Sequence, residues 1–150
     1  MSEKLIIELS VREIERYAQD LIALIESLTE EQLWSVEGGI PNSVGTLARH
    51  LTGNLNHYFG AGLLKNGYVR DREGEFTETG LPKEQVVSEL KAAVEVARLS
   101  VEAIDVERIG QPYTTPCGRD YESLAYHVVR MLTHFVLHCG QADYALRHIR

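Results

Sequence analysis

Apolar residues enter this chain in blocks with helical spacing. In the first block Ile7, Val11, Ile14, Ala18, Leu21, Ile25 and Leu28 alternate steps of four and three, the seam of a bundle helix. Thr29-Glu-Glu-Gln follows as a capping box and predicts a short turn carrying Leu33 and Trp34. Gly38-Gly39-Ile40-Pro41 breaks the pattern. Asn42 or Ser43 can then cap a second long helix to about Lys65, with Val44, Leu47, Leu51, Leu55 and Tyr58 inward. Residues 66–81, NGYVRDREGEFTETGL, are polar and glycine-rich and read as a long connection. Pro82 suits the first turn of a third long helix reaching about Ile104, with Val86, Leu90, Ala93, Val94, Ala97 and Val101 on its core side. A second irregular stretch, DVERIGQPYTTPCGR, leads to Asp120 as the expected cap of a last helix from Tyr121 to His148.

No strand pattern and no internal repeat is visible, so the reading is all-α: a four-helix bundle forming one domain over residues 1–150. The connection between the second and third long helices is long enough to travel the length of the bundle. Those two helices can therefore run parallel, although length alone does not require it. Hydrophobic residues at 44% and charged residues at 25% supply an ordinary core and surface. The net charge of −7 opposes a grip on nucleic-acid phosphates. Charges recur every few residues in MSEKLIIELSVREIERYAQ, which excludes a signal peptide or membrane span there. Cys117 and Cys139 form no CxxC pair, and the expectation is a cytoplasmic chain with reduced thiols.

The chemistry is concentrated in HFVLHCGQADYAL, residues 134–146. Histidines four apart on a helix differ by about 40° and about 6 Å, so His134 and His138 leave one face. Turning 100° per residue from Leu124 places Val128, Met131, Phe135, Ala142 and Leu146 in a core stripe. His127, His134 and His138 flank that stripe, Gln141 lies beside His134, and Cys139 falls on the opposite flank. On the second helix His50 and His57 share a column but are about 10.5 Å apart, too far to share an ion. A single ion can thus take His134, His138 and one histidine of the second helix. Three imidazoles suit zinc or nickel first, with iron or manganese as further candidates, and leave positions open for water or substrate. Neutral ligands keep the full dipositive charge on the ion, which favours an anionic nucleophile. Gln141 is placed to orient such a site from outside the ligand set. HxxxH alone is a weak motif, and His57, His127 and His148 read as hydrogen-bonded or solvated residues.

The segments NSVGTLARHLTGNLNHYF and HFVLHCGQ, with EEQLW and the loop RDREGEF, together resemble the DinB/YfiT-like superfamily over essentially the whole chain. The resemblance implies an up-down-down-up bundle, often dimeric, whose divalent metal is held by three histidines, here His50, His134 and His138. It also implies thiol-dependent transferase or isomerase chemistry with a low-molecular-weight thiol such as bacillithiol, mycothiol or glutathione, acting on a small-molecule substrate. Cys139 departs from the pattern, because relatives often carry arginine before Gly-Gln. The antiparallel pairing so implied would put His57 level with His127, whereas a parallel one would bring it toward Gln141 and Ala145.

Three functions compete. The first is a metal-dependent transferase that activates a thiol for attack on an electrophile, with Arg70, Arg72 and Trp34 as rim candidates beside their plainer roles as solvated charges and a core-edge indole. The second is a non-catalytic metal-binding or stress-associated bundle. The third is a DNA-binding module, which the acidic balance opposes. A hydrolase with a helix-borne carboxylate base is disfavoured, since none falls beside His134 or His138. The outward columns of the last helix (Tyr126, Val129, Thr133, Val136, Leu137, Gly140 and Tyr144) are nearly uncharged, which predicts a homodimer through that helix unless loops cover it.

Overall fold

Helix α1 (Glu3–Ser27) buries Ile7, Ile14, Ala18, Leu21 and Ile25, as the four-three spacing requires. The computed structural model describes residues 3–149. Thr29 caps α2 (Glu30–Trp34) through a reciprocal capping box with Gln32, and Leu33 drops into the core. Ser43, rather than Asn42, caps α3 (Val44–Leu55) by accepting from the Thr46 amide.

The second long helix does reach the Lys65 boundary, but its last turns, Asn56–Leu64, are π-helical and end on Lys65 in the left-handed region. A π turn takes up more residues than an α turn, so the inward position moves by one. Phe59 is consequently the fully buried ring, and Tyr58, expected inward, is only half-buried.

The polar connection is not structureless. Asp71 caps α4 (Arg72–Thr77) by accepting from the Gly74 amide, a helix that the short polar stretch concealed. Helix α5 (Lys83–Glu102) starts one residue after Pro82, whose carbonyl accepts from the Gln85 and Val86 amides. Between α5 and the last helix, β1 (Tyr113–Thr114) pairs antiparallel with β2 (Asp120–Tyr121), Tyr113 opposite Tyr121. Asp120 therefore does not cap the last helix. Its carboxylate accepts from Thr114 at 2.7 Å, and Ser123 caps α6 (Leu124–Leu146) instead. Within α6 the stripe Leu124, Val128, Met131, Phe135 and Ala142 is buried as expected. Leu146 is not, and Ala145 takes the inward position at that end.

The buried side chains of α1, α3, α5 and α6 form one core, so the architecture is all-α with a minor two-residue strand pair. Arg98 on α5 reaches Glu15 near the middle of α1, while Lys91 meets Glu26 and the Lys83 ammonium meets the carbonyls of Glu26 and Leu28. The Ser100 hydroxyl donates to the Phe59 carbonyl at 3.0 Å, and the Trp34 indole donates to the Leu81 carbonyl at 3.1 Å. Among the described residues no helix is long and apolar enough to cross a membrane.

Candidate metal centre

Helix α3 supplies His50, and α6 supplies His134 and His138 from successive turns. Their Nε2 atoms converge: His134 Nε2 lies 3.3 Å from that of His50 and 3.1 Å from that of His138. Ligand nitrogens of all three lie within 4.8 Å of one another. Two imidazoles bound side by side to a first-row ion at ~2.1 Å would stand roughly 3.0–3.4 Å apart, so the spacing fits such an ion. The residue facing α6 is His50. His57 sits in the π segment with its ring 4.8 Å from Tyr58.

The outward nitrogens explain why these rings point inward. His50 Nδ1 donates to Glu75 Oε2 at 3.0 Å, and His138 Nδ1 donates to Gln141 Oε1 at 2.7 Å. A ring that gives its Nδ1 proton to an acceptor presents a bare lone pair at Nε2. Two such lone pairs face His134, whose single proton can satisfy only one of them. A shared cation removes that mismatch. Burial, joined by charge on His138, His50, Arg70 and Arg130, lowers the pKa of His134 to about 4. Burial also lowers that of His138, against the opposing hydrogen bond to Gln141. His134 and His138 are thus neutral near pH 7, the ligating form. The triad can hold a divalent metal ion.

Glu75 was not visible in the helical pattern, because it arrives on α4 rather than on a long helix. It is buried beside His50. Burial would raise its pKa, but hydrogen bonds from His50 and Arg70 outweigh this and hold it below the usual carboxylate range. Arg70 clamps it with Nε at 2.6 Å from Oε1 and Nη2 at 2.8 Å from Oε2, a bidentate pair. Arg49, next to His50 on α3, donates to the carbonyls of Gly74 and Glu78 at 2.7 Å each and fixes the end of α4. Phe76 packs on His50 with ring centroids 5.0 Å apart. Gly53 makes this possible, since a Cβ there would overlap the Glu75 carboxylate. A glycine inside a helix weakens it and marks close approach; Gly53 was the signal available in the sequence.

Arg70 is therefore committed to Glu75 and is not a solvated charge. Arg72 is exposed and lies over the Phe76 ring at 5.5 Å, and Trp34 uses its N–H on Leu81, so the indole is part of the scaffold. Cys139 is buried with Sγ 4.0 Å from the Tyr17 carbonyl on α1, away from the triad, and burial, aided by Asp20, pushes its thiol up to about 12. His127 is fully buried, but neither ring nitrogen has a partner among the described residues, so it is not the hydrogen-bonded or solvated residue expected. Tyr58 and Phe59, the two residues after His57, pack their rings 5.8 and 6.4 Å from that of His127.

Comparison with known proteins bears on the fold and the family. No curated protein matches the chain. A crystal structure of a conserved protein from Enterococcus faecalis superposes with a TM-score of 0.74 at 16% identity, covering 95% of each chain, which shows the shared fold. The profile of the mycothiol-S-transferase family matches residues 11–149. With the match spanning nearly the whole sequence, the chain belongs to the mycothiol-S-transferase family, which is DinB/YfiT-like.

Proposed function

We propose that the protein is a metal-dependent thiol S-transferase in which His50, His134 and His138 hold a divalent ion and Gln141 and Glu75 orient two of those ligands. The convergence of three Nε2 atoms, two with their lone pairs directed inward, carries this reading. A dication at that place lowers the pKa of an entering thiol and supplies thiolate near neutral pH. Glu75 holds the tautomer of His50, and Arg70 holds Glu75 ionised in turn. Gln141 does the same for His138 without adding charge. With neutral imidazole ligands, a neutral Gln141 and the Glu75 charge paired with Arg70, a bound dication would keep its positive charge and would favour an anionic sulfur. The family name supports a small-molecule thiol as co-substrate. Zinc or nickel fits an all-imidazole set best.

The test is elemental analysis joined to a thiol-conjugation assay on loaded and stripped protein. One equivalent of divalent metal is expected, with conjugation lost on stripping and restored by zinc or nickel. Metal stoichiometry surviving His134→Ala with His138→Ala would overturn the site. Conjugation unaffected by stripping would overturn the chemistry and leave a metal-binding bundle.

For the scaffold we infer an up-down-down-up bundle made of one domain, with 66–82 as the crossover. Supporting it, Arg98 pairs with Glu15 and Lys91 with Glu26, which sets α5 against α1. Trp34 and Leu81 meet at one end while Phe59 and Ser100 meet at the other, which sets α3 alongside α5. His50 opposite His134, and Phe59 near His127, sets α6 against α3.

We also propose a homodimer through α6. Val129 and Leu137 are 41% and 59% exposed, and among the described residues no loop covers them and nothing lies within 4 Å of a Cβ placed on Gly140. A two-fold contact repeats each change, so Leu137→Glu should convert dimer to monomer in sedimentation. A wild-type monomer at high micromolar concentration would end this proposal.

A further inference from the structure

One turn beyond the triad, α3 and α6 leave a cavity between them and the loop 38–42. It measures about 380 Å³ and is lined by Ile40, Pro41, Leu47, Gln141, Tyr144 and His148, with the remaining loop residues. Its position follows from register. Leu47 precedes His50 by three residues on α3, and Gln141 follows His138 by three on α6, so both lie on the same side of the triad. Gln141 belongs to both places: its Oε1 accepts from His138 Nδ1, and the residue lines the cavity. Tyr144 and His148 pack against each other with ring centroids 5.2 Å apart and form an aromatic wall. Gly38 lets the loop come close to that wall, since a Cβ there would fall 2.9 Å from His148 Nδ1.

The lining decides what the cavity accepts. Among the described residues it contains no aspartate, glutamate, lysine or arginine. An acidic or cationic group entering it would lose hydration and find no carboxylate, ammonium or guanidinium to pair with, only the polar atoms of Asn42, Gln141, Tyr144 and His148. The volume is at the small end of ligand sites and fits one ring or a branched alkyl group. We propose that this cavity holds the uncharged, apolar body of the electrophile that receives the thiol, an aromatic or branched-alkyl group, while the thiol itself remains outside it. The assignment rests on the transferase reading above and specifies its acceptor substrate.

The experiment uses zinc-loaded, 15N-labelled full-length protein, titrated with benzamide as a neutral probe and benzenesulfonate as an anionic one. Benzamide should give saturable amide shifts at 38–42, Gln141, Tyr144 and His148, and benzenesulfonate should bind there about tenfold more weakly. Tyr144 is 59% exposed, so Tyr144→Ala leaves the core intact. The substitution should weaken benzamide by about fivefold to tenfold while zinc content stays unchanged. Shifts confined to other residues, equal binding of the sulfonate, or an unchanged benzamide Kd in Tyr144→Ala would each overturn the assignment. A wild type that takes up no zinc yet binds benzamide at these residues would instead remove the metal reading and leave the cavity standing.

Discussion

His134 and His127 stand on the same helix, two turns apart and on the same flank, yet their surroundings differ completely. Around His134 the neighbours are two more imidazoles, each tied from behind by an acceptor, Glu75 or Gln141. Around His127 they are rings: Tyr113 at 4.6 Å, Tyr121 at 5.1 Å and Tyr58 at 5.8 Å between centroids, with no partner for either nitrogen among the described residues. Burial depresses the pKa of both to about 4, so basicity does not distinguish them. What separates a ligand from a core ring is the set of acceptors that fixes the tautomer of its neighbours. An imidazole becomes one of a ligand set when other lone pairs converge with its own.

The largest effect should come from removing the convergence. His50→Ala leaves two ligands on one helix, and metal affinity should fall by about a thousandfold or more in competition with a chelator, as expected when a tridentate site becomes bidentate. His127→Phe should leave metal affinity where it was. Loss of metal in that variant would show that the two layers are one unit and would break the comparison.

The second effect belongs to the ring layer and is a pH dependence. An unfolded histidine titrates near 6.5, and buried His127 near about 4, with burial as the cause. Between those values the unfolded chain binds a proton that the folded chain refuses. The stability contributed by the neutral ring is therefore complete above pH 6.5, declines as pH falls, and is fully lost below about 4. The span is roughly 3 kcal/mol. His127→Phe should flatten the denaturation midpoint across this window, compared with wild type in the metal-stripped form. Parallel curves for the two proteins would mean that His127 is protonated or solvated in the folded state.

Much of this was legible in the chain, and the exceptions share a cause. Periodicity reads long helices, so Ile14, Leu51, Leu90 and Phe135 fell in the core as expected. HxxxH on α6 and the flank of α3 pointed to His134, His138 and one partner on α3, and the superfamily resemblance singled out His50. Periodicity does not read a six-residue helix inside a polar connection, so α4 and Glu75 were missed. It also assumes 3.6 residues per turn, and the π segment from Asn56 to Leu64 violates that assumption, which exchanged Tyr58 for Phe59 in the core. Hydrophobicity gives no warning that a histidine such as His127 will be enclosed by rings brought together from the β1–β2 pair and the π segment. Contacts made between distant segments set each of these outcomes.

The smaller effects sharpen the difference between the two acceptors behind the triad. Glu75 is ionised, clamped by Arg70 and buried; Gln141 is neutral and exposed. A carboxylate behind a ligating histidine both fixes its tautomer and raises its basicity, whereas an amide oxygen does chiefly the first. Glu75→Gln keeps the shape but removes the charge and leaves Arg70 without its ion pair, so metal affinity should fall by about tenfold to a hundredfold. Gly53→Ala should reproduce that loss by expelling the carboxylate, although it alters no titratable group. Gln141→Met removes only a neutral acceptor from a partly solvated ring, and water can take its place. Its cost should be about threefold to tenfold at the low edge of outer-partner effects. Chelator competition on the three variants, read at one pH, gives the order directly. If Gln141→Met costs as much as Glu75→Gln, orientation of the ring rather than charge behind it governs affinity, and Arg70 has no electrostatic role at the centre.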